Sequence, residues 1–137
     1  MHICPYLFLN GRAEEAINFY HQVLGGELML SRFSEMPDFE KNMAPEHADR
    51  VIHAQLAWEQ GVLMVSDGCP SEPTRAMDGC AVSLSVQDVD RAQQVFDALT
   101  DGGEVVMAWE PTFWAKGFGM LKDRFGVNWM VSGGVTG

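Results

Sequence analysis

No stretch of this chain approaches the ~20 consecutive apolar residues that cross a bilayer, and Met1 to Asn10 carries neither a basic leader nor a small-residue cleavage site. A cytoplasmic protein with no membrane role is expected. Cysteine is scarce: Cys4, Cys69 and Cys80 are odd in number and lack CxxC spacing, which argues against a disulfide framework and against a thiolate zinc site. Basic charge is scarce too. Nine Lys and Arg, scattered singly, stand against nineteen Asp and Glu for a net charge of −10. Such a chain repels phosphate backbones and anionic lipid, so no nucleic-acid partner is expected, whereas a neutral or cationic small molecule is compatible. What is present is material for a real core: 137 residues, 47% of them hydrophobic, can bury about 68% of the unfolded surface.

The chain is written twice. Residues 12–28, RAEEAINFYHQVLGGEL, are echoed by 88–105, DVDRAQQVFDALTDGGEV, with Ala16, Tyr20 and Val23 falling on Ala92, Phe96 and Leu99 at a constant offset. Each copy reads as an amphipathic helix between strands, stopped by a Gly-Gly pair. Before the first helix, His2 to Leu9 is strand-like; after it, Glu27 to Phe33, Val51 to Trp58 and Gly61 to Val65 alternate as strands do. Residues 34–49, with two prolines and mixed charge, have the composition of a mobile loop or lid. The second copy follows a connector at 68–78. Cys80 to Val86 places Val82, Leu84 and Val86 on one face and small or polar residues on the other. Asp88 is placed to cap the next helix, and Val105 to Glu110, Phe118 to Lys122 and Val127 to Val131 complete the strands. The expected organisation is one domain, 1–137, of two β-α-β-β-β modules, 1–67 and 79–137.

This doubled plan resembles the vicinal oxygen chelate superfamily, which includes glyoxalase I, bleomycin-resistance proteins and extradiol dioxygenases. Within it, the runs PYLFLNGRAEEAINFYHQVLGG at 5–26, SEMP at 34–37, HAQL at 53–56, MVSD at 64–67 and above all WEPTFWAKGFGMLKDRFGVNWMV at 109–131 look like its PhnB-like branch, often labelled demethylubiquinone methyltransferase-like. The resemblance implies an α+β fold in which the two modules form a curved eight-stranded mixed sheet around a cleft, with helices on the outside. It also implies a homodimer.

Members of that superfamily that do metal chemistry place His, Gln or Glu ligands on the cleft faces of the first and last strands of each module. The resemblance puts those positions at Pro5, Met64, Ala81 and Met130. Proline and alanine offer no side-chain donor and a thioether suits soft metals only, so no metal site and no cofactor are expected. The methyltransferase label meets a similar obstacle. A Gly-rich loop leading from a strand into a helix, as S-adenosylmethionine enzymes of the usual kind require, has no counterpart here, since Gly25-Gly26 and Gly102-Gly103 follow helices.

His53 shares a strand face with Gln55 and is the natural general base near neutral pH. Glu110, between Trp109 and Pro111 with aromatic residues around it, is the second catalytic candidate. Asp67 and Asp123 have the positions of turn-formers, although Asp67, at a strand end, is also placed to meet a cationic ligand group. Trp109, Phe113, Trp114 and Phe118 form the densest aromatic run; Trp114 and Phe118 are the candidates for a pocket wall, with Met64 and Met130 as an adaptable floor. The function expected is that of a metal-independent small-molecule binding protein or non-metal enzyme. A metal-dependent lyase or isomerase like glyoxalase I, and a protein that sequesters an antibiotic, are the alternatives.

Overall fold

A computed structural model describes residues 1–71 and 74–136; Glu72 and Pro73 of the connector and Gly137 lie outside the described residues. The chain divides into two units, Met1–Arg75 and Ala76–Gly137, the division falling within the connector.

In the first unit β1 (Tyr6–Phe8), α1 (Ala13–Leu24), β2 (Glu27–Arg32), β3 (Val51–Trp58) and β4 (Gly61–Ser66) follow in order. The sheet order is β1-β4-β3-β2, with β1 parallel to β4 and the other pairs antiparallel. The second unit repeats this with β5 (Val82–Val86), α3 (Val89–Thr100), β6 (Glu104–Glu110), β7 (Ala115–Lys122) and β8 (Asn128–Val135). Its order is β5-β8-β7-β6, and β5 is again the parallel strand. The fold is therefore α+β, with two four-stranded mixed sheets and eight strands among the described residues. Residues 34–49, expected as a loop, are folded into short turns around a four-residue helix, α2 (Phe39–Asn42).

Each long helix lays one face on its own sheet. Ala13, Ala16, Ile17 and Tyr20 of α1 are fully buried, as are Ala54, Leu56 and Val65 of the strands. In the second unit Ala92, Val95, Phe96 and Leu99 of α3 are buried, together with Leu121, Trp129 and Val131. Burying a side chain the size of Ile17, Leu56, Val95, Phe96 or Leu99 contributes roughly 1.5–3 kcal/mol, so these two small cores hold the helices down. A forked ion pair ties α1 to β2 in addition: Arg32 Nη1 and Nη2 donate to Glu14 Oε1 and Oε2 at 3.1 and 2.6 Å. The Arg32 hydrogen bond holds the Glu14 carboxyl below its ordinary value.

Several strand boundaries differ from expectation: β5 starts at Val82 and not Cys80, β8 runs on to Val135 and not Val131, and β2, β4 and β6 shift by one residue at one end. The first strand shrinks from His2–Leu9 to Tyr6–Phe8, the three residues that pair with Met64 to Ser66 of β4 at the sheet edge. In the second unit Ala115-Lys116-Gly117, which reads as a turn, is the start of β7. Gly117 is there for close approach: the Trp109 indole lies against the space where a Cβ would stand.

Candidate functional site

The face of each sheet turned away from its helix carries most of the side chains singled out in the sequence, and strand register decides which of them share it. In the first unit Tyr6 pairs with Met64, Met64 with Gln55 and Gln55 with Met29, giving one row across four strands. Two residues further along the strands, Phe8 pairs with Ser66 and Ser31 with His53. Tyr6, Phe8 and Met29 are exposed on this open face.

A chain of hydrogen bonds crosses the two rows. Tyr6 Oη lies 2.9 Å from His53 Nδ1, and His53 Nε2 lies 3.0 Å from Gln55 Oε1. With Gln55 Oε1 as the amide atom facing Nε2, the network assigns the ring proton to that nitrogen, and Nδ1 then accepts from the Tyr6 hydroxyl. The rings tilt together, with centroids 5.5 Å apart for Tyr6 and His53 and 5.3 Å for Tyr6 and Phe8. Burial pushes the Tyr6 phenol above its ordinary 10.0, and a hydrogen bond with Ser66 acts the other way. Beside it, Cys4 Sγ approaches Met64 Sδ to 3.6 Å. His53, Gln55 and Met64 were all singled out in the sequence. Tyr6 was not, although its signal was there: in an alternating strand that buries Leu7, Tyr6 and Phe8 must face the other way.

The second unit places Ser83, Met130, Met120 and Met107 in the equivalent row. Next along come Ser85 beside Ser132, Ser132 beside Phe118, and Phe118 beside Glu110. Thus Met130 stands where Met64 stands, Met120 where Gln55 stands and Phe118 where His53 stands. Phe118 is buried, meeting Trp114 edge-on at 5.3 Å, and Trp114 in turn meets Phe113 at 4.7 Å. Trp109 belongs to the opposite face, where it packs on Phe96 of α3 with centroids 5.4 Å apart. The aromatic run is therefore split between the faces. Glu110 is exposed and does not have the aromatic enclosure expected of it. His53 and Glu110 belong to different units, and neither unit contains both.

Asp67 is only 4% exposed, and its carboxylate is engaged with the backbone. Oδ1 accepts from Gly11 N and Ala13 N, and Oδ2 from Val51 N, each at 2.8 Å. It closes the N-terminus of α1, whose own flanking residue Arg12 makes no side-chain cap. Asp123 does similar work in its turn, accepting from Phe125 N and Val127 N through Oδ1 and from Trp129 Nε1 through Oδ2.

The positions at which the resemblance implies metal ligands can be tested on this register. The open-face neighbour of Met64 on β1 is Tyr6, and Pro5 is one residue out; the neighbour of Met130 on β5 is Ser83, and Ala81 lies beyond the strand. Neither a phenol with a thioether nor a serine hydroxyl with a thioether makes a ligand set for a hard or borderline divalent ion. Among the described residues no group of three or more His, Cys, Asp or Glu side chains is gathered as a metal site would gather them. The residues present do not fit the ion.

Comparison with known proteins agrees with the architecture. The family described as Glyoxalase/Bleomycin resistance protein/Dioxygenase superfamily matches residues 2–131. Protein YjdN of Escherichia coli is 35% identical, over 96% of this chain and 95% of its own. Protein PA1353 of Pseudomonas aeruginosa is 42% identical, with 97% of each chain covered and a TM-score of 0.88. The PhnB protein of Bacillus cereus is 25% identical, over 97% of this chain and 99% of its own, with a TM-score of 0.72.

Proposed function

The chain belongs to the Glyoxalase/Bleomycin resistance protein/Dioxygenase superfamily, in its PhnB-like branch, and from that premise we propose that it is a metal-independent small-molecule binding protein or non-metal enzyme. The observation that carries this reading is the Tyr6–His53–Gln55 chain, set beside the thioethers Met64 and Met29, with a thioether and not a metal ligand at the β4 position of the row. A sheet face of this kind offers a ligand broad apolar contact and a few fixed polar groups. His53 is its base, and Met64 its floor. In the second unit Met130, Trp114 and Phe118 are the apolar contacts and Glu110 the exposed carboxylate; Asp67, spent on backbone N–H groups, stands outside the site. A net charge of −10 favours neutral or cationic ligands over anionic ones. The protein acts in the cytoplasm as a homodimer, the second copy covering apolar surface such as Val105, Val106 and Met107, which are half-exposed on the edge strand β6.

The test joins metal analysis to ligand stabilisation. The protein is expected to carry less than about a tenth of an equivalent of metal, to gain none from nickel, zinc, manganese or iron(II), and to be stabilised by some member of a small-molecule panel in a way that His53→Ala abolishes. A ligand at a hundred times its dissociation constant adds about 2.7 kcal/mol, which a thermal shift resolves. Metal near one equivalent overturns the reading in favour of a lyase or isomerase like glyoxalase I.

A further inference from the structure

We infer that the Tyr6 hydroxyl is the catalytic group presented to a ligand on the open face of the first unit, and that His53 is a positioning residue behind it that takes the proton. The inference rests on the reading of this face as the ligand site, and it changes which atom does the chemistry there. Three observations lead to it.

The first is occupancy. Both ring nitrogens of His53 are engaged, Nε2 by Gln55 Oε1 and Nδ1 by Tyr6 Oη. Nδ1, the nitrogen with the lone pair in this tautomer, is covered by the phenol, so the imidazole meets a ligand only through Tyr6. The second is exposure. Tyr6 is 41% exposed on an edge strand whereas His53 is half-buried on β3, an interior strand. The third is the phenol itself. Because burial holds its proton more firmly than usual, the oxygen gains nucleophilicity or basicity only if a neighbour receives that proton as the reaction proceeds, and Nδ1 lies 2.9 Å away to do so.

The ligand class follows from the geometry. A ligand O–H, N–H or carbon acid activated by a carbonyl delivers its proton to Tyr6 Oη while the phenolic proton passes to Nδ1, leaving the ligand anionic and His53 as imidazolium. Gln55 Oε1 keeps its hydrogen bond from Nε2–H throughout and fixes the tautomer. The second unit has no such relay, because Phe118 and Met120 stand where His53 and Gln55 stand.

p-Nitrophenyl acetate tests this without knowledge of the natural ligand. Tyr6 Oη attacks the acetyl carbon, the bond to p-nitrophenolate breaks with its electron pair leaving on that oxygen, and the phenolic proton moves to His53 Nδ1. The chain has two tyrosines, and the other, Tyr20, is fully buried, so site-resolved mass spectrometry reads Tyr6 without interference from thiols or lysines. Acetylation of Tyr6 is expected to be about a hundredfold faster in the wild type than in His53→Gln, which keeps a hydrogen-bonding side chain but offers no base. Equal rates, or acetyl carried by His53 with p-nitrophenolate release undiminished in Tyr6→Phe, overturn the relay. A measurement on the unaltered protein guards against variants that misfold. Imidazole ¹⁵N spectra at neutral pH are expected to show His53 with its proton on Nε2, and a proton on Nδ1 overturns the proposal. These readouts need no ligand, so their failure is distinct from failure of the ligand-site reading, which appears in the stabilisation assay.

Discussion

At the scale of single residues, two aspartates show how the same task is met twice by different means. The N-terminus of α3 is capped locally, Asp88 accepting from Asp90 N and Arg91 N. The N-terminus of α1 has Arg12 at the equivalent position and takes its carboxylate from Asp67, at the far end of β4. Removing Asp67 strands three donors, two of them fully buried, at roughly 1–3 kcal/mol for each group left unsatisfied, whereas losing an ordinary N-cap costs about 1 kcal/mol. Asp67→Ala is therefore expected to lower stability by about 2–6 kcal/mol and Asp88→Ala by about 1 kcal/mol, read from urea unfolding midpoints at constant slope. A larger loss for Asp88→Ala would refute the assignment. The contrast also explains what was legible in the sequence. Asp88 and Asp123 bond to groups within a few residues, so spacing alone shows their work. The partners of Asp67 lie 16, 54 and 56 residues away, and its dual reading as turn-former or ligand contact was all that a linear pattern allowed.

Among the elements, β7 is the one most constrained by what lies on it. A Cβ at Gly119 would come within 2.5 Å of Phe96 Cε2 of α3, and one at Gly117 would run into the Trp109 indole. Gly119→Ala is expected to push α3 off the sheet at a cost of about 1–3 kcal/mol, while Gly61→Ala, where nothing lies within 4 Å, serves as the control in the same thermal unfolding series. Equal stability of the two variants would mean that the helix yields without cost. The helices and the alternation of most strands could be read directly because each buries one stripe or one face. The start of β7 could not. A glycine in sequence looks the same whether it serves a turn or makes room for a ring, and the difference lies in Trp109 and Phe96, on other elements. The partition of the aromatic run between two faces was hidden for the same reason.

For the molecule as a whole, the exposed apolar residues of β6 bear on association. Val105, Val106 and Met107 are 50–60% exposed on the outermost strand of their sheet, a surface that charge or cover ordinarily protects. Sedimentation equilibrium is expected to give twice the chain mass, and Val106→Asp to shift it toward the single chain and to remove the rise of the unfolding midpoint with protein concentration that a dimer shows; a wild type that sediments as one chain rules the homodimer out. The doubled architecture has an evolutionary corollary. Two halves with one topology and matching ladders point to an ancestral gene copied and fused, and after such an event each copy could mutate while its sibling preserved the trait they had shared. Helix stripes and ladder registers survived in both, whereas the histidine and glutamine of one lineage face phenylalanine and methionine in the other. The two sheets thus carry different side chains along the same rows, histidine and glutamine in one, and in the other methionine, phenylalanine and serine with the Glu110 carboxylate at the row's end.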